Sequence, residues 1–396
     1  MNTLSKKIHA DREHLTDLRR RFHQHPELGL QEFWTAEQIE AELDAYGISH
    51  TRVGATGVLG TITGTLGGTG AIALRADIDG LPVQETNDVP YRSLNDGIMH
   101  ACGHDSHITV LLGAAKALQD ARGMFGGTVK LIFQPAEEIG YGALDFVEAG
   151  VLDGVERTFG MHAASDLPVG SLAVVEGINF AAVDHFVITV RGRGAHVSRP
   201  NLGADALYIA SSIVVAAQAL VARRTDPVEP VVIGIGKLHA GTTYNALAET
   251  AEIEGTTRTV TPQTRASVRA DVVALAEQTA RLFGAEVDIA WREVTPAVVN
   301  PPDVTAEVAA VAKKVDGAVV VTARDYSLGG DNFAEFQQRV PGVYAYLGTG
   351  NPDIPNTQNS HHNGNFDLDE TALPLGAALY AEYALWWLTE GTANRH

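Results

Sequence analysis

Between Met99 and His107 the chain reads MHACGHDSH, gathering His100, His104, His107, Asp105 and the only cysteine, Cys102, into nine positions. Imidazole, thiolate and carboxylate all ligate divalent cations, and a thiol beside histidines is also the pattern of a cysteine nucleophile. The helical pattern predicted to start near Asp105 puts Cys102 and His104 in a loop at that helix's positive end. This position favours the thiolate, the form both chemistries use. From this stretch alone a metal site, a thiol nucleophile and an imidazole-rich turn all remain open.

Other stretches narrow the choice. FQPAEE, ending in Glu137 and Glu138, follows a predicted strand. Phe133 and Pro135 point to a buried approach, where adjacent carboxylates are costly without a cation. With a cation present, one carboxylate can bind it while the other takes a proton from water. His162 in FGMHAA, His361 and His362 in NSHHNGNFDLDE, and Asp77 and Asp79 in LRADIDGLP supply further donors. They are placed at strand ends or in loops, where ligands of open α/β sheets collect.

The elements that must position these residues are legible as periodicities. Helical spacing covers Ile8–His25 and Phe33–Tyr46, with Gly47 as the stop for the second. Strands Ala71–Leu74, Thr128–Phe133 and Thr158–Met161 then alternate with helices Ile108–Ala121 and Ala143–Ala149, which predicts an α/β layer with a central, mostly parallel sheet. From Asp184 the order becomes strand, helix, strand, strand, helix, strand: HFVITVRGR, Ala204 to about Arg223, Val231–Leu238, Ala251–Arg258, Pro262–Phe283 and Glu286–Trp291. That is a ferredoxin-like α+β unit. The α/β pattern resumes after Pro296 with Val319–Val321, Val343–Leu347 and a helix from Glu370. The expected organisation is a catalytic domain of residues 1–183 and 296–396 with an inserted domain of residues 184–295. Glycine-rich GTLGGTG at 64–70 lacks the lysine of a phosphate loop and is expected to be a turn between strands.

Composition sets the bounds. A chain of 396 residues with 45% hydrophobic content can bury a large core, and 48 acidic against 29 basic residues give a charge of −19. That balance opposes binding to nucleic acid or anionic membranes. The apolar stretch Ile209–Ala222 falls short of a bilayer span. A polar start, MNTLSKKIHADREHL, and a lone cysteine predict a cytoplasmic protein without disulfides.

Taken in order, LRADIDGLP, MHACGHDSH, FQPAEE, GMH, GRGAH and HHNGNFDLDE resemble the M20 family of metallopeptidases, over nearly the whole chain. The resemblance is to the amidohydrolase branch, which includes N-acyl-amino-acid, hippurate and indoleacetyl-amino-acid hydrolases. It implies two divalent metal ions per subunit, with zinc, manganese, cobalt or nickel as candidates. It further implies Cys102, His104, Glu138, His162 and His362 as ligands, Glu137 as general base and Asp79 as the residue orienting a ligand. His362 is preferred to His361 because it stands four residues before Phe366, as in the family's H-x-x-x-F pattern.

In the inserted domain, His196 of GAHVSRP would stabilise the oxyanion in a partner subunit's site, and Asn245 and Arg258 would grip the substrate's carboxylate. A homodimer, possibly a tetramer, is implied. The expected substrate is an N-acyl-L-amino acid; a dipeptidase or carboxypeptidase of the same family, a cysteine-nucleophile hydrolase and a non-catalytic metal-binding protein are the alternatives. Two departures from the family pattern, GGDNF at Gly329–Phe333 and HNGNF after the last metal histidine, are expected near the substrate pocket and bear on acyl or amino-acid preference.

Overall fold

A computed structural model describes residues 3–391. Internal contacts divide the chain into two compact units: Met1–Asn179, Val299–Asp325 and Asp331–His396 form the larger, and Phe180–Val298 with Tyr326–Gly330 the smaller. The larger opens on α1 (Thr3–Ala10) and α2 (Arg12–Gln24), where one helix over Ile8–His25 was expected. The break falls at Asp11, whose carboxylate binds Lys116 at 2.7 Å. It lets Leu4 and Ile8 on one segment and Leu15, Leu18 and Phe22 on the other enter a single core. Next come α3 (Phe33–Ala45), β1 (Ser49–Val53) and β2 (Gly57–Thr63). The β1–β2 hairpin is absent from the sequence reading because SHTRV is polar and buries only Val53.

Residues 64–70 form the expected loop to β3 (Ala71–Asp77), followed by α4 (His104–Asp120), β4 (Thr128–Gln134) and α5 (Ala143–Glu148). β5 (Val155–Pro168) is 14 residues long, not the short strand expected at Thr158–Met161, so His162 lies inside a strand rather than at its end. β6 (Ser171–Ala173) and β7 (Gly177–Phe180) complete this part.

In the smaller unit, β8 (Ala182–Arg191), α6 (Ala206–Arg223), β9 (Val232–Ala240), β10 (Thr250–Thr259), α7 (Pro262–Leu282) and β11 (Glu286–Thr295) build an antiparallel sheet of order β11-β8-β10-β9. This is the ferredoxin-like order. The alternation along β8 buries Phe186, Ile188 and Val190 in one cluster with Ile209 and Ile213 of α6 and Val268 and Val272 of α7. α6 is longer than the apolar stretch read from the sequence. At 18 residues it is, by length and composition, the one candidate membrane span among the described residues, yet its Ala206, Ile209, Ala210, Ile213 and Ala217 face is buried in that cluster.

The chain then pairs β12 (Val298–Asn300) with β7 and runs through α8 (Pro302–Ala312), β13 (Val319–Val321), α9 (Ala334–Gln337), β14 (Gly342–Gly350) and α10 (Leu373–Trp386). The large sheet has eight strands in the order β1-β2-β4-β3-β5-β14-β6-β13. Its central neighbours β4, β3, β5 and β14 are parallel, and the hairpin at one edge is antiparallel. Buried α4 and α10 share the main core with these strands. They approach closely: a β-carbon on Gly113 of α4 would meet Leu15 at 2.8 Å and Ala377 of α10 at 3.2 Å.

Candidate metal centre

Parallel strands deliver the chemistry to their carboxyl ends. β3 ends at Asp77 and leads to Asp79, and β4 ends at Gln134 and turns into Glu137 and Glu138. α4 begins at His104, its preceding residue Gly103 at φ +87°. A β-carbon there would be strained and would meet Ala163 at 3.2 Å. This left-handed turn lets Cys102 and His104 face one centre.

The five residues implied as ligands by the resemblance come together in the larger unit. Donor atoms of Cys102, His104 and His162 lie within 4.8 Å of one another, and so do those of Cys102, Glu138 and His362. Cys102 Sγ is 3.4 Å from His162 Nε2, and His362 Nε2 is 3.4 Å from Glu138 Oε2. His104 Nε2 and Glu138 Oε1 sit 3.7 Å apart, both buried and both without a hydrogen-bond partner among the described residues. Buried polar atoms are seldom left unpaired. Two facing lone pairs, flanked by a sulfur and a second imidazole, fit a cation between them.

Hydrogen bonds orient the rings. His104 Nδ1 donates to Asp79 Oδ1 at 3.2 Å, and His162 Nδ1 donates to the Ala163 carbonyl at 2.7 Å, so each ring turns its Nε2 lone pair inward. His107, three residues past His104 on α4, accepts from the Ala163 amide at 2.8 Å and donates from Nδ1 to Asp77. His361 is 3.2 Å from the Cys102 carbonyl through Nδ1, outside the donor groups that include His362. His362 itself adopts φ +62°, with its amide held by the Ala101 carbonyl at 2.8 Å.

The electrostatics separate the two glutamates. Burial, then Asp331 and Glu138, hold the Glu137 carboxyl well above its ordinary range. Burial acts in the same sense on Glu138, but the His362 hydrogen bond and His104 outweigh it and bring its carboxyl down. Adjacent carboxyls driven apart in this way are suited to separate acid–base and charge-binding roles. The same surroundings correct the expectation for Cys102. Burial, reinforced by Glu138, pushes the thiol well above its usual range despite the nearby helix terminus. A thiol so placed is a poor unassisted nucleophile.

In GGDNF, Asp331 and Asn332 are buried, and Asp331 is close enough to Glu137 to raise its carboxyl: Asp331 accepts from Tyr344 and from Arg75 at 3.1 Å, and Asn332 accepts from Gln134 at 2.7 Å. They anchor the ends of β3 and β4. In HNGNF, Asn363 stands where the family has proline and accepts the Asn365 amide at 2.8 Å, closing a turn. The sequence reading assigned no role to His107 or Glu32. The first was legible as one helical turn from His104; the second, far away in sequence, had no local signal.

In the smaller unit, His196 and Asn245 line one cavity of about 990 Å³ together with His239. His196 Nδ1 accepts the Ser198 amide at 3.1 Å, leaving Nε2–H as a free donor. Arg258 projects from β10, partly buried, and has no ion pair among the described residues; burial lowers its pKa.

The fold and donor cluster define a two-unit α/β protein with a metal-competent centre and an inserted ferredoxin-like unit, and sequence comparison supplies its family. The profile of Peptidase family M20/M25/M40 matches residues 73–386, and the chain belongs to that family. It is 39% identical over 373 residues to N-acetylcysteine deacetylase of Bacillus subtilis, covering 94% of this chain and 96% of that protein. Thermostable carboxypeptidase 2 of Saccharolobus solfataricus is 37% identical over 391 residues, covering 96% and 98%. Among solved structures, the YXEP protein of Bacillus subtilis, a dinuclear metal-binding peptidase from the M20 family, superimposes with a TM-score of 0.82 at 37% identity, covering 97% of this chain and 99% of that one.

Proposed function

We propose that this protein hydrolyses the amide bond of N-acyl-L-amino acids at a centre of two divalent cations held by Cys102, His104, Glu138, His162 and His362. The observation that carries it is the convergence of these five side chains around the unpaired His104 Nε2 and Glu138 Oε1. Such cations, when bound, supply Lewis-acid polarisation of a carbonyl and lower the pKa of water. Glu137 takes the proton from the attacking water and passes it to the leaving amine nitrogen. Asp79 fixes the His104 ring. His196 offers Nε2–H to the developing oxyanion in a partner subunit's site, and Asn245 and Arg258 hold the substrate's free carboxylate, a role that suits an unpaired guanidinium.

Thiolate and imidazole donors suit zinc, and carboxylates admit manganese, cobalt or nickel. Self-association through the smaller unit is supported by Leu207, Tyr208 and Val215 of α6, exposed by 46%, 54% and 75%. A reducing, cytoplasmic location suits a thiol among the donors.

Elemental analysis with a panel of acetyl, benzoyl and dipeptide substrates tests the reading. Glu137→Gln is expected to keep full metal content and to lose at least about a thousandfold in kcat, an effect at the upper end of general-base contributions. Near-normal turnover by that variant, or metal-free protein with full activity, would overturn the reading. Preference for dipeptides over acyl amino acids would move it to the carboxypeptidase alternative.

A further inference from the structure

Glu32 lies just ahead of α3, in the position of a helix cap, but it does not cap that helix. Glu27 takes that role, accepting the Trp34 amide at 3.1 Å and the Thr35 amide at 2.9 Å. The fully buried Glu32 carboxylate instead reaches across 104 positions of sequence. Oε1 accepts the amide of Ala136 at 2.8 Å, and Oε2 accepts the hydroxyl of buried Thr56 at 2.8 Å.

Ala136 is one of three non-glycine residues with positive φ among the described residues, at +57°, and it directly precedes Glu137. A β-carbon disfavours that conformation, so something must hold it there. The neighbouring contacts are equally close: a β-carbon on Gly29 would come within 3.1 Å of the Ala136 Cα. On the far side of Glu137, the Glu138 amide is held by Asp79 Oδ2 at 3.0 Å. The amides before and after Glu137 are thus each pinned by a buried carboxylate from another segment. The turn is closed further by Gly140 N to Glu137 O at 2.8 Å and Tyr141 N to Ala136 O at 2.9 Å.

We propose that Glu32 is a positioning residue for the general base: by holding the Ala136 amide it keeps the left-handed turn that aims the Glu137 carboxylate. The inference rests on the role given to Glu137 above. Glu32 touches neither substrate nor cation, so its loss should misaim the base without altering how substrate binds. Glu32→Ala is expected to lower kcat roughly 10- to 100-fold with KM within about twofold, the scale expected when a reacting group is misplaced. Glu32→Gln keeps an acceptor for the amide and can pair with Thr56 by donating; it should retain kcat within about threefold, since both contacts survive. Glu32→Asp, a methylene shorter, cannot span both partners; it is expected to fold and still to lose kcat, which keeps the test decisive if Glu32→Ala does not fold.

A second readout is independent of turnover: in metal-free protein, hydrogen exchange at the Ala136 amide should accelerate in Glu32→Asp and not in Glu32→Gln. Wild-type kcat in Glu32→Asp, or a loss that Glu32→Gln shares with unchanged exchange, overturns the proposal. An active Glu137→Gln variant would instead remove the role of Glu137, so the two failures are told apart.

Discussion

Asp79 bridges His104 and Glu138, meeting the Nδ1 of the first at 3.2 Å with one carboxylate oxygen and the amide of the second at 3.0 Å with the other. One buried carboxylate therefore fixes both an imidazole donor and the peptide carrying a carboxylate donor. Asp79→Asn keeps the shape but exchanges one acceptor for a donor that faces another donor. Metal affinity is expected to fall about 10- to 100-fold, the usual cost of disturbing a group that orients a ligand. Calorimetric titration of apoprotein with zinc checks this, and an unchanged dissociation constant would refute it.

The paired histidines near the C-terminus separate by geometry. His362 faces Glu138, whereas His361 uses Nδ1 on the Cys102 carbonyl and packs against Phe366, ring centres 4.8 Å apart. His362→Ala should remove about one equivalent of bound metal, as expected for an open-sided site losing a direct ligand. His361→Ala should retain both equivalents with a lower melting temperature. Metal counting on the two variants decides the assignment, and the reverse pattern would exchange the roles.

Arg75 is buried between carboxylates, its guanidinium 2.6 Å from Asp77 and 3.1 Å from Asp331. Arg75→Met leaves both acids without their cation. Removing one partner of a buried ion pair costs about 3–5 kcal/mol, and a chemical denaturation midpoint should drop accordingly. A variant as stable as the parent would show that these acids are neutralised by another route.

Burial raises the Glu32 carboxyl from 4.5 to about 6. Because the folded value lies above the unfolded one, the stability linked to its proton is complete below about pH 4.5 and is lost as pH rises through about 6. At about 1.4 kcal/mol per unit the loss is about 2 kcal/mol. Glu32→Gln, which carries no such proton, should gain on the parent between pH 5 and 7.5 by up to about that amount. Thermal unfolding of the two metal-free proteins across this range gives the comparison; a constant gap would place the titration elsewhere.

Much of this centre is legible in the sequence because metal-competent residues cluster locally: three histidines and a thiol within nine positions, two glutamates after one strand. The helices and the ferredoxin-like order are legible from spacing, since α7 and β8 carry clean periods. Other features depend on tertiary contact. β1 is polar, and the β1–β2 hairpin gains its place only at the edge of β4. Glu32 reads as an ordinary pre-helix acid until Ala136 is folded against it. The thiol shift of Cys102 follows from burial beside Glu138, which outweighs the helix terminus visible in the sequence.

Cys102 and Glu138 share a donor group with His362, close to the C-terminus, and His162 comes from β5 in between. A ribosome must therefore release almost the entire polymer before the last donor can arrive, and no early fragment owns a complete cradle. Ion capture then acts as a latch on the finished fold alone, adding its binding free energy to the native state and little to partly made intermediates.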